Sequence, residues 1–300
     1  MNTRSSAMIM SLWLAAGVAL TTSIASAQEA KEGTAYEVKL PTTPAKSVEP
    51  TEKLAKAGKI VMCTELGNPP GGFLAEDGVT PKGFNVDVMS AIGPVMGIKS
   101  EVVHYPFASI FAALDTGKCD AVMSNNSKSP TRIAKYNFVE YIRERMGLLV
   151  PKGNPLNIKT YEDLAGHRVA VLVSSTNERL LKEASAKVEA EGKPAIEIQS
   201  YPQNTTTFRQ LDLKRVDAFV SDAMTLSYFM KLTDDKYEIG GLPIDPLTIG
   251  IVLRKDDPAL HEAVRKAYVA LFEGGYVEQA AKTWGMDGHV ELCRDDKQCP

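Results

Sequence analysis

Between Cys119 and Arg132 the chain reads CDAVMSNNSKSPTR, an apolar run that breaks into hydroxyls and amides and closes on one arginine. The guanidinium of Arg132 is a planar fork matched to a carboxylate, and the hydroxyls of Ser127 and Ser129 can donate beside it. Later the pattern returns as RVDAFVSDA, which sets Ser221-Asp222 where the first copy has Ser124-Asn125. Asp222 is an acceptor suited to an ammonium group, and equally suited to cap a helix. A third apolar run, VAVLV, ends in Ser174-Ser175-Thr176. Thr176 stands where a helix begins, so its N–H and the helix dipole favour an anion, with a simple N-cap as the rival role. A carboxylate clamp opposed by one aspartate describes recognition of a free α-amino acid.

Such groups need strands that end together. KIVMCTE, SEVVHY and CDAVMS read as strands. Between them, FNVDVMSAIGPVMG carries Phe84, Val88, Met89, Ile92, Val95 and Met96 at helical spacing, and FASIFAALDTGK carries Phe107, Ile110, Phe111 and Leu114 before Gly117 stops it. The order is βαβαβ, and the second half repeats it with VAVLV, IEIQSY and VDAFVS. The fold class expected is α/β, two Rossmann-like lobes with mixed, mostly parallel sheets. RMGLLVPKG and LTIGIVLRKD read as extended crossings, making lobe one discontinuous (53–147 and 248–300) around lobe two (148–247). Ligands of open parallel sheets bind beyond the carboxyl ends of the strands. Those ends carry Glu65, Ser124 to Ser127, Ser174 to Thr176, and Ser221-Asp222, all expected to face one cleft.

The 300 residues, 44% hydrophobic and 24% charged, suffice for two domains with cores of their own. A net charge of −3 with scattered lysines and arginines gives nucleic acid no basic face. Arg4, the apolar AMIMSLWLAAGVAL and the small residues Ala25 and Ala27 have the form of a signal peptide cleaved after Ala27. The apolar run is shorter than the roughly 20 residues a membrane span needs. The mature chain, with 33 basic and 37 acidic residues, is expected in the periplasm. Residues 28–52, rich in Lys, Glu, Thr and Pro without an apolar period, read as a mobile leader. In an oxidising compartment Cys293 and Cys299, bracketing RDDKQ, are expected to pair. Cys63 and Cys119 are either a second bridge or two buried thiols. The cysteines and histidines show no metal-ligand spacing, so no metal or other cofactor is expected.

The ordered set GFNVDV at 83–88, LDTGKCDAVMSNNSKSPTR, FVEYI, EDLAGHRVAVLVSSTNE and GIVLRKDDPAL resembles the periplasmic amino-acid-binding proteins of ABC transporters, solute-binding protein family 3, from Lys59 to Met286. The resemblance implies the type II periplasmic-binding fold, with two strands as hinge, and a monomer that delivers an amino acid to a membrane permease. It implies that Arg132 and Ser127, with Thr176 and its neighbour Ser175, hold the ligand's carboxylate, Ser129 standing beside them. Asp222 takes the amino group, helped by acceptors near Ser127 and Asn125. Phe107 becomes an apolar wall, with core packing as its rival role. Glu65 falls where binders of basic amino acids place an acid, so a polar or basic ligand is expected. Asn85 departs from the family's usual aspartate, and Asn68 stands where an aromatic residue commonly stacks on the ligand, followed by the unusual Gly71-Gly72. Two alternatives share the fold: a cyclohexadienyl dehydratase-like enzyme, with Glu65 as acid, and a sensor that presents its ligand to a receptor.

Overall fold

The computed structural model describes residues 30–300 apart from 41, 235, 242–245, 287, 296–298 and 300. The signal peptide expected at 1–27 lies outside the described residues. The first lobe opens with β1 (Ala35–Tyr36), α1 (Glu52–Ala57) and β2 (Lys59–Thr64). A small antiparallel sheet follows, made of β3 (Gly67–Asn68), β4 (Gly72–Leu74) and β5 (Pro81–Lys82). Next come α2 (Phe84–Val95), β6 (Lys99–His104), α3 (Ile110–Asp115), β7 (Ala121–Ser127), α4 (Pro130–Lys135) and β8 (Tyr136–Glu144). The second lobe holds β9 (Met146–Pro151), β10 (Arg168–Leu172), α5 (Thr176–Ala190), β11 (Glu197–Tyr201), α6 (Asn204–Asp212), β12 (Ala218–Asp222), α7 (Ala223–Leu232) and β13 (Tyr237–Gly240). The chain returns through β14 (Leu247–Arg254), α8 (Pro258–Glu273), α9 (Tyr276–Thr283) and β15 (Val290–Leu292).

One sheet runs β1-β6-β2-β7-β14-β8-β15 and the other β11-β10-β12-β9-β13. Parallel pairing is confined to the trios β6-β2-β7 and β11-β10-β12, the second at the edge of its sheet; every other pair in these two sheets is antiparallel. A parallel neighbour needs a helical crossover. β9 and β14 enter their sheets straight from the other lobe, so they run the opposite way. RMGLLVPKG and LTIGIVLRKD are therefore sheet strands, and on the first pass the change of lobe falls at Arg145.

The helical period of α2 translates directly into packing. Phe84, Val88, Met89, Ile92, Val95 and Met96 are all buried, in one cluster with Tyr268 and Leu271 of α8. Lobe two has its own core, from Val169, Val171 and Val220 to Leu181 and Val188. Residues 30–52 are not the leader expected. β1 pairs with β6, Val38, Leu40 and Val48 pack on the lobe-one core, and the Ser47 and Val48 amides donate to the Val95 carbonyl. These apolar residues sit singly among charges, and an extended strap needs no helical or strand period to bury them. Cys63 and Cys119 form a bridge rather than two thiols, and Cys293 pairs with Cys299.

Candidate functional site

Two of the strands that carry polar ends have a left-handed residue there. Asn125 in β7 has φ 49° and Ser174 after β10 has φ 61°. Asparagine tolerates that conformation better than most residues; a serine there costs more, and such strain gathers at binding sites. Asn125 is also held by its side chain, whose Oδ1 accepts from Nδ2 of Asn85 at 2.8 Å. Asn85 is the third residue of GFNVDV, buried in the first turn of α2. Gly71 makes the pair possible. A Cβ there would fall 2.9 Å from both Asn125 Oδ1 and Asn85 Nδ2.

One cavity between the lobes is lined by Phe107, Asn125, Ser127 and Arg132 from one side and Ser175, Thr176 and Asp222 from the other. Arg132 rises from α4 and donates from Nη1 to Ser127 Oγ at 3.0 Å and to its carbonyl at 3.2 Å. Its guanidinium lies 4.8 Å from the Phe111 ring and 5.5 Å from that of Phe107. Burial, reinforced by Arg179, lowers its pKa to about 10. Phe107 precedes α3 rather than riding on it; its ring meets that of Phe111 edge-on at 6.3 Å and borders the cavity. Ser127 Oγ approaches Thr176 Oγ1 to 2.5 Å across the cleft. Ser175, not Thr176, is the cap of α5, accepting from the Glu178 amide at 3.1 Å. That leaves the Thr176 hydroxyl for the cleft.

Asp222 caps a helix and also borders the cavity. Its Oδ1 accepts from the Thr225 amide at 2.8 Å, capping α7, while the carboxylate borders the cavity. Burial raises its pKa against the lowering by Thr225 and the neighbouring Asn125 amide. Glu144 stands close behind, 2% exposed at the end of β8. Burial, then the charge of Asp222, pushes its pKa well above the carboxylate range.

Two expected residues stand outside this lining. Ser129 heads α4, 3.2 Å from Thr131 Oγ1, and borders an adjoining surface cleft together with Arg132 and Thr176. Glu65 ends β2 as expected and is 1% exposed, but its carboxylate turns aside to Gly67. A Cβ on Gly67 would lie 2.5 Å from Glu65 Oε1, so the glycine lets the acid in, beside Gln203. Neither oxygen has a well-formed hydrogen bond. Burial raises the Glu65 pKa well above its usual value, with partial relief from the Gly67 amide.

The cavity also takes in Asn68, Asn177 and Asn204. Asn68 Oδ1 accepts from Asn204 Nδ2 at 2.7 Å and from Thr225 Oγ1 at 2.9 Å, tying the lobes together. Asn177 Oδ1 accepts from the Tyr161 hydroxyl at 3.3 Å. Asn204 was within reach of sequence reasoning. It follows β11, whose carboxyl end lies beside that of β10, and the strand-end rule applies to it equally. Asn177 simply continues the Ser-Ser-Thr cluster.

The family described as Bacterial extracellular solute-binding proteins, family 3, matches residues 60–287. Among curated proteins, the L-cystine-binding protein TcyJ of Escherichia coli (strain K12) is 26% identical over 233 residues, 77% of this chain and 84% of its own length. Among solved structures, a mutant of ArgBP from T. maritima superposes with a TM-score of 0.71 at 25% identity, covering 79% of this chain and 99% of its own. The ancestral amino acid-binding protein AncCDT-1, described as a precursor of cyclohexadienyl dehydratase, gives 0.70 at 28% identity, covering 78% and 98%.

Proposed function

The chain belongs to family 3 of the bacterial extracellular solute-binding proteins, and from that premise we propose that it captures a free α-amino acid between its lobes and hands it to an ABC-transporter permease. The observation that carries the reading is Arg132, a partly buried cation with no ion pair among the described residues, bordering one cavity with Asp222 of the other lobe. Arg132, Ser127 and Thr176 receive the ligand's carboxylate, and Asp222 its ammonium group. Phe107, Met146 and Leu172 form the apolar part of the lining and the rest is polar, which supports a polar or basic side chain. The ligand is held from both lobes at once, Arg132 and Ser127 on one and Thr176 and Asp222 on the other, so binding and closure are one event. The mature protein acts in the periplasm as a monomer, and its fate is transport.

The relatives named above are binding proteins, although one is a precursor of a dehydratase. A dehydratase would need a positioned acid. The acid expected for that role, Glu65, stands outside the cavity lining, which favours binding over turnover. A thermal-shift screen against the proteinogenic amino acids tests the reading, since a ligand bound by the folded state raises Tm. A polar or basic amino acid should give the largest rise. No rise with any of them, or turnover of prephenate or arogenate, refutes it.

A further inference from the structure

Resting on the amino-acid reading above, we propose that the ligand's side chain ends in a neutral carboxamide, read jointly by Asn204 of lobe two and Asn68 of lobe one. The two charged ends of an amino acid occupy Arg132, Ser127, Thr176 and Asp222. The polar side chains then left in the lining include the amides of Asn68, Asn177 and Asn204. Asn177 spends its oxygen on Tyr161.

Asn204 is 1% exposed, commits Nδ2 to Asn68, and keeps a buried Oδ1 with no partner. A buried acceptor without a donor is unfavourable, so the site gains from a ligand N–H at that point. Asn68 is 3% exposed and commits Oδ1 twice, to Asn204 and to Thr225. A side-chain amide carries its nitrogen opposite its oxygen, so Nδ2 is the group Asn68 has left to offer, and it is a donor. One uncommitted acceptor and one uncommitted donor, on two amides bonded to each other, are the complement of a carboxamide.

Other side chains fit less well. An ammonium or guanidinium end needs a counter-charge, and the lining offers only the carboxylate of Asp222, which the amino group takes. Glu65 lies outside the lining, turned to Gly67. An aliphatic side chain leaves Asn204 Oδ1 unpaired, and a site built to hydrogen-bond rejects an analogue that lacks the bond.

The test is calorimetric titration of the mature protein with L-glutamine, L-asparagine, L-arginine, L-lysine and L-leucine, repeated on Asn204→Asp. In the wild type a carboxamide amino acid should bind roughly tenfold or more tighter than the other three. Asn204→Asp keeps the size and adds a charge, so the preference should shift toward arginine and lysine by about tenfold. Arginine, lysine or leucine binding tightest to the wild type overturns the carboxamide assignment and leaves the amino-acid reading standing. Asn204→Asp with the wild-type ranking, in a protein of unchanged circular dichroism, removes Asn204 from the reading pair. Should that variant fail to fold, Asn68→Asp carries the same expectation and the same refutation. Binding of none of the five, while another amino acid binds, also overturns the assignment; binding of no amino acid takes down both readings.

Discussion

Removal of Arg132 should separate ligand affinity from stability more cleanly than any other single change. Burial has lowered its pKa from the ordinary guanidinium value to about 10. At about 1.4 kcal/mol per unit, that shift corresponds to about 3 kcal/mol spent on holding the cation in place, or about 2 after allowing for its partial exposure. The two aromatic rings return about 0.5–1 kcal/mol each. Arg132→Ala should therefore leave the Tm of the free protein nearly unchanged, because the two contributions offset each other. Binding should suffer. The ligand's carboxylate loses its buried partner, at a cost on the order of 3–5 kcal/mol. That is a loss of affinity between about a hundredfold and several thousandfold. Calorimetry with the best amino acid from the thermal-shift screen measures it, and differential scanning calorimetry checks the Tm. An affinity within about threefold of wild type, in a protein that is still folded, would refute the clamp.

Asp222→Asn preserves the α7 cap, since asparagine caps as well as aspartate, but removes the charge facing the ammonium. Amino-acid affinity should fall by about a hundredfold with little change in Tm, as read by the same two instruments; an unchanged affinity counts against the assignment. Reducing the Cys63–Cys119 bridge, or replacing both residues by serine, releases a loop with a sequence separation of 56 and should cost about 4 kcal/mol on chain entropy. A serine variant whose melting transition does not move would contradict that. Glu144 should make stability depend on pH. Its folded pKa is raised above the ordinary 4.5, so its burial is tolerated below that value and stability is lost as pH rises toward the folded pKa. Glu144→Gln should match wild type near pH 4 and melt higher from about pH 6 upward, and equal Tm values at both ends would rule this out.

The parts of the fold that follow local rules were legible in the sequence. The α2 face, the βαβαβ order and the polar strand ends all arise from periods of 3.6 and 2, which side-chain types record directly. Antiparallel entry of β9 and β14 was not, because strand direction depends on which lobe the chain comes from. The strap before β2 was not legible either, because single apolar residues in an extended segment leave no period. The site divides in the same way. Arg132, Ser127, Thr176 and Asp222 stand at strand ends or helix starts, where topology alone delivers them to one cleft. Glu65 satisfies the same rule yet turns away, because the missing side chain of Gly67 two residues later opens another place for it. The Asn68–Asn204 contact joins residues 136 apart on different lobes, a pairing that no local period records.

A crystal structure of the protein with the amino acid that stabilises it most would test the central claim directly. The ligand's carboxylate should lie within hydrogen-bonding distance of the Arg132 guanidinium and Thr176, with its ammonium group against the Asp222 carboxylate. A ligand bound in the cleft that touches neither Arg132 nor Asp222, or one bound outside the interlobe cavity, would contradict it.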